Sequence, residues 1–189
     1  MIQKEQIEKL IIEESSKIIS VLDPITKGKT VKSLKFKIDS KHFTDNFITH
    51  DITQDANFKE MFDTLKKYND YPALYFFQIN SELEKNEIIQ LVQSEKDLFT
   101  PAHNSFKDNN SILYVGKVTA CAWGRLIQHL GYHKQRKSHG LQVGLWGNKT
   151  SKDLDLSFTV IFFEKESKDY LILLEKMLGK KLKPIIGKH

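Results

Sequence analysis

Residues 112–118 read ILYVGKV, and the chain runs on as TACAWGRLIQHLG from Thr119 to Gly131. The first segment is bulky and β-branched, a strand by composition. The second places Ala122, Trp123, Leu126, Ile127 and Leu130 on one helical stripe, with Thr119 as the expected N-cap and Gly131 at the end. Upstream, PALYFFQI (72–79) reads as another strand, and SELEKNEIIQLVQSEK (81–96) as a helix before a loop from Asp97 to Asn110. Downstream, LSFTVIFFE (156–164) is a third strand, apolar on both faces in its second half and therefore expected at the centre of its sheet. Asp169–Leu178 reads as a late helix, ended by Gly179 and followed by Pro184. Strand, strand, helix, strand, helix predicts an α+β fold: a small mixed or antiparallel β-sheet flanked by helices.

The first third reads as an extension. Ile7, Leu10, Ile11, Ile18 and Leu22 fall near helical spacing between Lys and Glu, and Pro24 and Gly28 are expected to break that helix. SLKFKID (33–39) alternates as a half-exposed strand, and Asp55–Tyr68 gathers Phe58, Met61, Phe62 and Leu65 on one face of a second helix. The expected division is an N-terminal α+β extension over 1–70, serving specificity or dimerisation, and a main unit over 71–189 with a helical insertion at about 80–110.

Composition narrows the function classes. The chain has 189 residues, 40% hydrophobic and 28% charged, an ordinary globular balance. No apolar run approaches bilayer length, and MIQKEQIEKL mixes both charge signs, so neither a membrane span nor a secretory signal is expected and the expected location is cytoplasmic. Cys121 is the sole cysteine, which excludes an internal disulfide and a multi-cysteine zinc cluster. The formal net charge of +5 is concentrated where it suits an anionic partner. Arg125, Lys134, Arg136 and Lys137 share a stretch without an acid, near His129, His133 and His139, and a second basic cluster runs from Lys176 to Lys188.

ALY at Ala73–Tyr75, YVG at Tyr114–Gly116, Arg125 and His129 one turn apart on the following helix, His139 beyond the basic stretch, and Glu175 on the late helix before KPIIG form an ordered set. That set resembles the GIY-YIG nuclease family over about Tyr71 to Lys188. The chain departs from the family pattern in three places: Ala73 and Leu74 replace Gly and Ile, Phe76–Leu113 stands where a short hairpin is usual, and Gly187 stands where many members carry Asn. The resemblance implies a metal-dependent DNA endonuclease, of restriction type for a small stand-alone chain, acting on double-stranded DNA with Mg²⁺ or Mn²⁺. It assigns Tyr75, Tyr114, Lys117, Arg125, His129 and Glu175 to catalysis, Glu175 also to the metal, and Gly116, Lys134, Arg136, Lys137 and His139 to nucleic-acid binding. The alternative is a binding module whose catalytic site has decayed.

The chemistry gives each residue type a reason. Phosphodiester hydrolysis needs charge stabilisation, an activated water and help for the leaving oxygen. Mg²⁺ tolerates one carboxylate ligand, and Glu175 shares the apolar stripe of its helix with Leu171 and Leu178, an expensive place for an unpartnered charge. Arg125 offers a bidentate fork for a phosphate. A tyrosine hydroxyl has a pKa of about 10, so Tyr75 or Tyr114 needs a neighbouring cation to act as a base, and Lys117 is the expected one. Trp123, Trp146 and the phenylalanines read as core. One active site per chain makes a homodimer attractive for cutting a symmetric target.

Overall fold

The computed structural model describes residues 4–40, 43, 50–82, 85–94, 110–132, 140–147, 149–150 and 153–187. Within them the order is α1 (Lys4–Thr26), β1 (Lys32–Asp39), α2 (Lys59–Lys66), β2 (Ala73–Ile79), α3 (Lys85–Ser94), β3 (Ile112–Val118), α4 (Ala122–Leu130), α5 (Val143–Gly147), β4 (Asp155–Phe162) and α6 (Leu171–Leu182). The four strands form one antiparallel sheet in the order β1-β4-β2-β3. The class is α+β as expected, and β4 does lie inside the sheet. No helix among the described residues is long and apolar enough to cross a membrane.

Period-two alternation sorts the side chains onto two faces. On the first, Ala73, Tyr75, Phe77 and Ile79 of β2 stand opposite Phe162, Val160, Phe158 and Leu156 of β4. They join the main core with Phe58, Phe62 and Leu65 from the α2 region and Leu126 and Leu130 from α4. Burying each such side chain contributes about 1.5–3 kcal/mol. On the second face Leu74 packs with Phe163 and Leu171, flanked by Phe76, Ile161, Leu174, Leu178 and, from α1, Ile25. The result is three layers, with β2 and β4 buried from both sides.

The expected boundary at residue 70 falls inside this sheet. β1 pairs with β4 from Lys32↔Phe162 to Asp39↔Asp155, so the first third contributes an edge strand to the same sheet as the rest. Two helix ends also differ. Pro24 lies within α1, because a proline one turn from the end removes only one backbone bond, and the chain turns after Thr26 with Gly28 at φ 74°. Gly179 lies buried inside α6, which continues to Leu182 and is closed by Lys183, whose N–H donates to the Gly179 carbonyl. Thr119 is not the cap of α4. That position belongs to Cys121, in the left-handed region at φ 59°, whose N–H donates to the Asn69 carbonyl at 2.7 Å.

β3 is the edge strand that matters for the site. Past α6 the tail runs beside it, with the N–H groups of Ile185 and Ile186 donating to the carbonyls of Ile112 and Leu113 at 2.9 and 3.0 Å. Higher up, the Lys117 N–H donates to Glu175 Oε1 at 3.1 Å. An edge that could pair with another chain is thereby occupied by α6 and its tail.

Candidate active site

The sheet register decides which motif residues meet. Tyr75 pairs with Gly116, and Phe77 with Tyr114, so both tyrosines stand on the first face. α4 crosses that face and brings Arg125 and His129, four residues apart, to the same side. The Tyr75 hydroxyl meets both: His129 Nε2 lies 2.9 Å away and Arg125 Nε donates at 3.1 Å. Tyr114 stacks beside Tyr75, its ring centroid 6.1 Å away at 21°, and lies 4.8 Å from the His129 ring.

Gly116 sits where a side chain cannot. A Cβ there would lie 2.5 Å from Tyr75 Cζ and Oη and 2.7 Å from Tyr114 Cε1. Its expected place among nucleic-acid contacts is thus corrected: it is buried, and its missing side chain makes room for the two rings. Gly116→Ala is expected to displace Tyr75 from Arg125 and His129, destabilising the fold by about 1–3 kcal/mol, the usual range for overpacking. Chemical denaturation measures the loss, and an unchanged midpoint would show that the rings can move aside freely.

The tautomer of His129 follows from its second nitrogen. The Leu141 N–H donates to Nδ1 at 3.1 Å, so in the neutral ring the proton sits on Nε2 and is donated to Tyr75 Oη. Gly140 lets the chain come that close, since a Cβ there would collide with the Gln128 carbonyl. Tyr75 Oη then accepts from His129 and from Arg125, and its own proton remains to be donated. Gln128 fixes the guanidinium from the other side, accepting from Arg125 Nη1 at 2.5 Å.

These surroundings set the protonation states. Burial pushes the Tyr75 hydroxyl pKa well up, and the opposing pull of Arg125 does not reverse it. Burial also raises Tyr114, with Glu175 adding to the rise at both hydroxyls. The expectation that the Lys117 side chain is the cation at the tyrosines is corrected by the sheet register. Lys117 pairs with Leu74 and so stands on the opposite face from Tyr114; the cation at the tyrosines is Arg125. Lys117 serves the site through its backbone N–H, which holds Glu175.

His129 is fully buried, and desolvation, then Arg125, hold its pKa well below 6.5. Below about pH 6.5 the unfolded chain binds a proton here that the folded one refuses. Stability should therefore fall as pH drops through that window, by about 1.4 kcal/mol per pH unit, until the folded pKa is reached. Urea titrations at several pH values, on wild type and His129→Gln, check this; equal slopes for the two would contradict it.

Glu175 is half-buried on α6. Among the described residues no group of three or more His, Cys, Asp or Glu could hold a metal ion. What the cluster offers is one carboxylate, oriented by a backbone N–H, which fits a hard cation held otherwise by water and phosphate oxygens. Lys134, Arg136, Lys137 and His139 lie outside the described residues. Trp146 is core as expected, but Trp123 is half-exposed, donating to Asn69 Oδ1 at 2.8 Å beneath Lys66. Sequence reasoning missed Gln128, Gly140 and Leu141, of which only Gln128, three residues after Arg125 on one helix, carried a readable signal. No protein-family model matches the chain, and no curated protein or solved structure matches it.

Proposed function

We propose that this chain is a GIY-YIG-type endonuclease, a metal-dependent phosphodiesterase acting on double-stranded DNA. The observation that carries the reading is the Tyr75 hydroxyl, buried yet held by both Arg125 and His129, with the Tyr114 ring stacked beside it. Four polar groups from β2, β3 and α4 meet here, at positions the motif resemblance singles out, and Glu175 on α6, held by the Lys117 N–H, adds to the rise of both hydroxyl pKa values.

In this reading the tyrosines remain protonated at neutral pH and act as hydrogen-bond donors that orient the attacking water and a phosphate oxygen. Arg125 has five N–H donors; it bonds Tyr75 and Gln128, and its fixed plane presents positive charge to the scissile phosphate. His129, neutral and locked in one tautomer, holds Tyr75 in place. Glu175 would hold the Mg²⁺ or Mn²⁺, which supplies charge neutralisation at the phosphate and the leaving oxygen. The basic stretch around Lys134, Arg136, Lys137 and His139 supplies the phosphate contacts. The competing reading, a decayed binding module, is favoured by Gly187 in place of the family's Asn and by the long Phe76–Leu113 stretch between the two motifs. DNA of diverse sequence incubated with Mg²⁺, Mn²⁺ or chelator separates the two: the nuclease cuts with either cation and not with chelator, whereas the module binds DNA and never cuts.

A further inference from the structure

α1 is unusual among the helices of the described residues. It extends over 23 residues and buries none of them, although Ile7, Leu10, Ile11 and Ile18 are 38–60% exposed. Only its C-terminal end, at Val21, Leu22, Pro24 and Ile25, is partly covered by the rest of the chain; a helix otherwise without tertiary packing is marginal in water, and its exposed aliphatic side chains call for a cover. Positions 7, 10, 14, 17, 21 and 24 follow strict alternating steps of three and four, the spacing of a two-helix seam. They read Ile7, Leu10, Glu14, Lys17, Val21 and Pro24: apolar at both ends, with an acid and a base in the middle. Ile11 and Ile18 flank this seam, each one residue past a seam position, and Ile12 and Ile19 lie off it.

The C-terminal end of the seam opens into a groove of about 300 Å³ between α1 and the segment after β4. Val21, Pro24, Ile25 and Phe163 give it an apolar floor, with Lys29 and Glu166 on the rim. The seam therefore carries both a protruding apolar end and an apolar receptacle.

We propose that two copies of this chain associate through α1, packed antiparallel about a twofold axis near Ser15 and Ser16. In that register Ile7 of one copy faces Pro24 of the other and enters the groove, Leu10 faces Val21, and Glu14 faces Lys17. The twofold repeats every contact, as an isologous interface requires. Within one chain Lys17 Nζ already lies 2.5 Å from Glu14 Oε1, so the axis gathers two acids and two bases in an alternating square. A parallel pairing would set Glu14 against Glu14 and leave both grooves unfilled. The helix is about 35 Å long at about 1.5 Å per residue, and a contact of that length with two seated ends approaches the roughly 800 Å² per partner of a stable interface. Nucleic acid and anionic lipid suit α1 poorly, because Glu5, Glu8, Glu13, Glu14 and Asp23 outnumber Lys4, Lys9 and Lys17. The association does not rest on the nuclease reading.

Light scattering on the full chain across a concentration series tests the proposal, beside circular dichroism as a check on helix content. Wild type should have twice the 22.0 kDa chain mass. Glu14→Lys and Lys17→Glu each bring like charges together across the axis and should weaken association at least tenfold. The double variant E14K/K17E restores the alternating square and should restore the dimer. Leu10→Gln should give a folded monomer. A wild-type monomer at the highest concentration overturns the proposal, including one that sediments with lipid vesicles, which would make α1 an interfacial helix. So does a dimer indifferent to both single charge reversals.

Discussion

Glu175→Gln is expected to lower DNA cleavage by a factor on the order of 10²–10³, the range seen when one preorganised electrostatic group is removed, while leaving stability and DNA affinity nearly unchanged. The separation follows from the carboxylate's two duties. Towards the protein it accepts the Lys117 N–H at 3.1 Å, and a glutamine carbonyl accepts that bond equally well. Towards the proposed cation it supplies the negative charge, which glutamine cannot. Single-turnover cleavage, a denaturation curve and a DNA-binding titration measure the three quantities. A variant that cuts at the wild-type rate in Mg²⁺ removes Glu175 from the proposed metal site; one that unfolds shows that its role is to secure the β3 edge.

Arg125→Lys should be nearly as damaging as Arg125→Ala, each lowering cleavage on the order of a hundredfold or more. Arg125 bonds the Tyr75 hydroxyl through Nε and Gln128 through Nη1, two directions fixed by one plane. A lysine ammonium is a point charge at the end of a flexible stem and cannot hold both while facing a phosphate. Both variants should fold, because Arg125 is only half-buried and the α4 core contacts come from Leu126 and Leu130. Their difference is the informative quantity. A lysine variant with most of the activity would reduce Arg125 to general electrostatics, and its salt dependence would then resemble that of wild type.

Much of the sheet was legible because β2, β3 and β4 each carry bulky apolar residues bounded by turn residues. The sheet membership of β1 was not, since an edge strand with exposed Lys35 and Lys37 is compatible with any two-stranded arrangement. For the candidate site, order along the chain located Tyr75, Tyr114, Arg125, His129 and Glu175 on elements that do converge. The Lys117 assignment contradicted a rule the sequence itself contains. Three residues is an odd step on a strand, and Tyr114 and Lys117 therefore face opposite sides. The burial that raises both tyrosine pKa values comes from α4, whose His129 packs on both rings, and at Tyr75 also from Phe158 of β4, a tertiary effect no local spacing encodes. The same holds for the Leu141 N–H at His129, which a separate stretch of chain delivers through the tight approach of Gly140.

The central claim is that the Tyr75 cluster is the reacting centre of a phosphodiesterase. The most direct measurement is single-turnover cleavage of long, sequence-diverse DNA in Mg²⁺ by wild type and Tyr75→Phe, with binding to the same DNA measured in Ca²⁺. Phenylalanine keeps the ring over Gly116 and removes only the oxygen that His129 and Arg125 hold. Wild type is expected to show cation-dependent cleavage, and the Tyr75→Phe variant to bind equally well and cut at least a hundredfold more slowly. DNA left intact by wild type under every cation, or cut by Tyr75→Phe at the wild-type rate, would contradict the claim.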